Sequence, residues 1–218
     1  MGSVYIIPQW FFSYDIILNL IFGVITLLVS LYAFKVYKLS YQIKSKIFGF
    51  SFFLISIAYF IRAIFIFILL SKLSASKALS LTSFTFWFES SLYLHIFFFL
   101  LGLITLVYMT IGSKGFKLYS LLSLLTFSPF IFAQDTLHLF NLLSALLLVY
   151  IFYYYLTTYL NVRNLRQFFI MLAFGLIFLS SIGFMLSVRY SLSFVVGDLL
   201  NLIAYVIIMI NLIVIRKK

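Results

Sequence analysis

Arg62 and Asp198 are the residues of this 218-residue chain best placed to do chemistry, because each stands inside a long apolar run. A charge at helix mid-depth in hydrocarbon costs ~2.5–3.5 kcal/mol on insertion scales, so such groups face a bundle interior and pair there. Arg62 lies about nine residues from one end of its run and Asp198 about seven from the corresponding end of its own. At ~1.5 Å per residue both then sit roughly 10–13 Å below the same surface. The expectation is that Arg62 pairs with Asp198 or with Glu89. Asn19, His95 and Asn141 fall at similar or shallower depths, Glu89 just above at the mouth of its helix, and Asn201 one turn below Asp198. These seven residues predict a polar layer able to hold a small molecule or lipid.

Spacing predicts which way the layer faces. Asp15, Asn19, Gly23, Thr26 and Ser30 follow one another at intervals of three or four, a polar and small stripe along one helix. Asp198, Asn201 and Tyr205 make a second stripe, and Ser91, His95 and Gly102 a third. Lipid offers polar atoms no partners, so stripes of this kind face other helices. A packing role is open for each residue. The asparagines suit interhelical hydrogen bonds of ~0.6 kcal/mol each, His95 an interior donor, Asp15 a helix cap at the interface, and Glu89 a solvated mouth. For Arg62 and Asp198 a ligand site and a structural lock stand evenly.

The elements that must position these residues are membrane spans. The chain is 66% hydrophobic and 9% charged, with mean hydropathy +1.24, whereas soluble domains carry about 25% charge. About 20 apolar residues cross the hydrocarbon core. Runs of that kind lie near 14–34, 47–71, 84–112, 116–133, 138–160, 167–188 and 191–215, one transmembrane domain over 1–218 with no polar domain between them. Ser128-Pro129 should kink the short fourth span. The fold expected is an all-α integral membrane bundle of seven helices, rhodopsin-like or 3+1+3 in arrangement.

Basic residues orient it. Lys35, Lys38, Lys44, Lys46, Lys114, Lys117, Arg163, Arg166, Arg216, Lys217 and Lys218 fall on one side, against Lys72, Lys77 and Arg189 on the other. An 11-to-3 bias puts the C-terminus in the cytoplasm. An odd number of spans then puts the N-terminus outside. Trp10 and Trp87 mark the outer boundary, and Tyr32, Tyr37, Tyr41 and the run 150–159 the inner one. The net charge of +11 therefore predicts contact with anionic headgroups rather than nucleic acid. With no basic region before the first apolar run, no removable signal peptide is expected.

Several chemistries are excluded. There is no cysteine, hence no disulfide or thiolate site, and only two histidines, hence no histidine metal site. No glycine-rich phosphate loop occurs, and no cofactor is expected. Gly49 and Ser51 have the spacing of an intramembrane serine protease motif, but they lie at the opposite end of their span from His95, out of reach of a nucleophile–base contact. Enzyme is the least supported class.

Seven spans with an external N-terminus resemble receptor-like and rhodopsin-like layouts. Val196-Gly197-Asp198 resembles part of the retinal-bearing helix of microbial rhodopsins, but Leu202 stands where the Schiff-base lysine is expected, which excludes retinal. Asn19-Leu20 and Asn141-Leu142, together with 53–60 and 178–185, resemble an internal duplication of the kind SWEET-type sugar exporters show. The Pro-Gln signature of that family fails, because Pro8-Gln9 precedes the first span. The first two spans and the Tyr/Lys-rich turn 32–46 resemble archaeal multi-pass proteins and sensor-type membrane modules. That resemblance implies a sensor layout and no chemistry. The expected function is receptor- or sensor-like, relaying to a membrane or cytoplasmic partner. The alternatives are a small-solute transporter with a path past Arg62 and Asp198, or an assembly subunit.

Overall fold

The computed structural model describes residues 8–76, 81–112, 115–187 and 189–216. Lys77, Lys114, Lys217 and Lys218, four of the residues in the charge comparison, lie outside them. Every element among the described residues is helical: α1 (Phe12–Ser40), α2 (Ile43–Ser76), α3 (Leu81–Ile111), α4 (Phe116–Phe127), α5 (Thr136–Val162), α6 (Leu165–Leu186) and α7 (Ser191–Arg216). Short 3-10 turns occupy Gln9–Phe11 and Ser128–Ile131. Among the described residues six helices are long and apolar enough to cross a membrane, and the stretch Phe116–Ile131 is a shorter apolar helix. The chain thus has the make-up of a multi-pass helical membrane protein.

The exterior follows from the same composition. On α1, Ile17, Val24, Leu28 and Leu31 are 38–55% exposed, while Asn19, Thr26 and Ser30 on the opposite face are buried. Water would drive such a helix to turn over. Hydrocarbon favours this arrangement, since it solvates the leucines and leaves the polar atoms to find partners inside.

Contacts fix the direction of each helix. Ser30 Oγ donates to Gly49 O and Ser56 Oγ to Gly23 O, both at 2.8 Å, so α2 runs back along α1. His95 packs at Ala58, and Gly102 against Ser51 and Ile55, so α3 reverses again. Tyr119 meets Thr105 at 3.3 Å and the Phe127 ring lies 5.3 Å from Phe97, so α4 climbs back along α3. Tyr155 stacks on Phe174, while Gly183 faces Ser193 and Asn211 reaches Arg166 O, which makes α6 antiparallel to α7. Phe11 with Phe194 and Phe22 with Tyr205 keep α7 parallel to α1. The odd-numbered helices therefore all begin at one end of the bundle, the upper end.

The packing closes into a ring of six: α1 on α2, α2 on α3, α3 on α5, α5 on α6, α6 on α7 and α7 back on α1. α4 rests on the outside of α3. Its α-helix stops at Phe127, because Pro129 has no N–H for the Leu125 carbonyl. Ser128 Oγ reaches that carbonyl at 3.4 Å, and the chain continues as a 3-10 turn. The expected kink is therefore a change of helix type.

α2 and α3 are longer than hydrocarbon requires. Arg62 is level with Asp15, near the start of α1, yet α2 continues to Ser76. The α2–α3 pair thus overhangs α1 at the upper end by about 15 Å. Depth counted from the end of the second apolar run overstates how deep Arg62 lies.

Candidate functional site

The site is assembled from the polar stripes of α1, α3 and α7. Asp15, Asn19, Thr26 and Ser30 are all buried, as are Ser91, His95, Asp198, Asn201 and Tyr205. The stripes turn inward because the bundle interior can offer polar atoms partners that lipid withholds. Where they converge, in the upper half of the ring, they leave a cavity of about 40 Å³. At ~10–15 Å³ for each water centre this holds roughly three waters.

All six ring helices line it. Asn19 comes from α1, Tyr59 and Arg62 from α2, His95 and Phe99 from α3, Asn141 and Ser144 from α5, Ser180 and Ser181 from α6, and Asp198 and Asn201 from α7. Six of the seven residues expected in the polar layer are thereby brought together. Glu89 is not: it is exposed on α3 and takes no part in the cavity lining.

The expected pairing of Arg62 with Asp198 or Glu89 is corrected. Arg62 Nη2 lies 3.5 Å from Asp15 Oδ2. Asp15 is 3% exposed and accepts from Asn19 Nδ2 at 2.9 Å through its other oxygen. It is therefore a buried ion-pair partner, and the cap expected of it is absent: α1 begins without a side-chain cap. The reason is the overhang of α2, which brings Arg62 up to the first turn of α1, within reach of Asp15.

The α2–α3 side of the cavity is well satisfied. His95 Nδ1 lies 3.0 Å from the Ala58 carbonyl, and a carbonyl only accepts, so Nδ1 carries the proton. The imidazole stacks on Phe99, with Tyr59 and Phe140 edge-on. Tyr59 and Tyr205 share a hydroxyl–hydroxyl hydrogen bond of 2.9 Å across the ring. The α5–α6–α7 side is different. Ser144 Oγ, Ser180 Oγ, Asp198 Oδ2 and Asn201 Oδ1 are buried without a hydrogen-bond partner, and all four residues line the cavity. Buried polar atoms are seldom left so. Capacity for hydrogen bonds or ligation is therefore concentrated on one wall.

The unpartnered oxygens can accept hydrogen bonds or ligate a cation. Among the described residues no three of His, Asp and Glu gather as a metal cluster, and the proton of His95 Nδ1 is committed to a backbone carbonyl. Sequence reasoning misses Ser144, Ser180 and Tyr59 as site residues, whereas Tyr205 stands in the α7 stripe. A helix can satisfy a serine hydroxyl with its own carbonyls, as Ser181 does through Phe178 O. Ser144 and Ser180 therefore carry no distinguishing signal in the sequence. Compared with protein-family models, with curated proteins and with solved structures, the chain matches none.

Proposed function

We propose that this protein is a seven-crossing membrane transporter for a small polar solute or ion, with its N-terminus outside and its C-terminus in the cytoplasm. The observation that carries the reading is the cavity at the centre of the ring, between α1–α3 and α5–α7. Each contact in the first triplet has its counterpart in the second: α1 on α2 matches α5 on α6, α2 on α3 matches α6 on α7, and α3 on α5 matches α7 on α1. Asn19 and Asn141 face the cavity from corresponding helices. Parallel repeats with a site at their interface are a transporter architecture, and the arrangement favours 3+1+3 over a seven-member rhodopsin-like ring.

Seven crossings are supported by the directions of α3 and α5. Both begin at the upper end, so the chain must return between them. α4 and its 3-10 turn rise about 26 Å over 12 and 4 residues, close to the ~30 Å of hydrocarbon. Orientation rests on the basic residues of the sequence, which would also meet anionic lipid on the cytoplasmic side.

The second reading is a receptor or sensor that binds at the same cavity and signals to a membrane or cytoplasmic partner. The small volume favours it, since a fixed water-scale site suits ligand detection. The absence of native cysteine allows a clean discrimination. In reconstituted vesicles, Ser181→Cys should react with an impermeant thiol reagent added from either face, as alternating access requires, while Ile203→Cys, half-exposed on the lipid side, should not. Reaction from the outside alone would establish the receptor reading, and no reaction from either face would remove the cavity as a ligand site.

A further inference from the structure

The four unpartnered atoms at the cavity are all oxygens. Asp198 Oδ2 and Asn201 Oδ1 come from successive turns of α7, Ser180 Oγ from α6 and Ser144 Oγ from α5. Their residues are 0–5% exposed. One carboxylate with amide and hydroxyl oxygens is a hard donor set, and hard oxygens select alkali and alkaline-earth cations over softer metals.

Charge narrows the choice. Arg62 and Asp15 offset each other at 3.5 Å, and the titratable rings of the lining, Tyr59 and His95, are engaged by the Tyr205 hydroxyl and the Ala58 carbonyl. Asp198 then leaves the layer with one negative charge in excess. A monovalent cation balances it, whereas a divalent ion would leave a net positive charge in a low-dielectric interior. The cavity of about 40 Å³ admits such an ion with one or two waters to complete its coordination. The Arg62–Asp15 pair comes from α1 and α2 and the unpartnered oxygens from α5, α6 and α7, although Arg62 lines the same cavity.

We propose that Asp198, Asn201, Ser180 and Ser144 form a binding site for a monovalent alkali cation of sodium type. The proposal rests on the reading of the cavity as a ligand site and names the ligand class. In transport the ion would be cargo or coupling ion, and in a receptor an occupant that sets the resting state.

The test uses the purified full chain in lipid nanodiscs, at constant ionic strength, in sodium, lithium, potassium or choline chloride. Sodium at about ten times its dissociation constant should raise the unfolding midpoint by about 3–6 °C over choline. Asp198→Asn should abolish the difference, and Asn201→Ala or Ser180→Ala should shift the sodium midpoint concentration upward at least tenfold. As a readout independent of stability, sodium should slow thiol modification of Ser181→Cys at least threefold. Equal midpoints and equal modification rates in all four salts would overturn the cation while leaving an accessible site. Midpoints that follow pH and ignore the salt would assign the neutralising charge to a proton on Asp198, and would overturn it too. Failure of Ser181→Cys to react in any salt from either face would instead sink the ligand-site reading itself.

Discussion

Arg62 Nη2 lies 3.5 Å from Asp15 Oδ2, which ties the first turn of α1 to the middle of α2. Asp15 is further held by Asn19, whose amide donates to both its side chain and its backbone carbonyl. Removing one partner leaves the other charged in a poor solvent. That costs ~3–5 kcal/mol for a fully buried pair, and less here because the Arg62 side chain keeps 20% exposure. Asp15→Leu and Arg62→Leu should each lower the unfolding midpoint by several degrees, and the double variant should recover most of the loss. Losses that simply add in a thermal-melt double-mutant cycle would show that the two residues do not act as a pair.

Tyr59 and Tyr205 lock α2 to α7 through their hydroxyls, 2.9 Å apart and deeply buried. Tyr59→Phe or Tyr205→Phe strands the other hydroxyl and should cost ~1–3 kcal/mol. Replacing both should cost less than the sum of the two. Denaturation in a defined detergent reads the difference.

Gly102 sets the approach of α3 to α2. A methyl group at this position would meet Ile55 Cγ1 at 2.5 Å and the Ser51 carbonyl at 3.0 Å. The carbonyl belongs to the backbone and does not give way, so Gly102→Ala should destabilise by ~1–3 kcal/mol. Gly23→Ala, which meets only the Phe60 ring at 3.0–3.2 Å, should cost less. A reversed order in thermal melts would mean that α2 and α3 are free to separate.

Pro129→Ala restores the N–H that the Leu125 carbonyl lacks. The α4 helix should then run through Ser128–Ile131, with slow hydrogen exchange at position 129 and no loss of stability. If bending at this turn serves transport, flux should fall in vesicles at unchanged folding. Rapid exchange at position 129 would show that packing on α3, rather than proline, ends the helix.

Composition and period alone determined the helical membrane class and the inward faces of the polar stripes, because lipid leaves a buried hydrogen-bonding group only the bundle interior. Asp15, Asn19, Thr26 and Ser30 show this residue by residue. Ring order, partner choice and the cavity belonged to the tertiary structure. Pairing Arg62 with Asp15 depends on how far α2 overhangs α1, and no count along one helix reveals the offset between two. Ser144 and Ser180 became site residues only when α5 and α6 were brought against α7. A serine that bonds its own helix and one that lines a cavity with Asp198 look the same in sequence. The difference between them is a matter of neighbours.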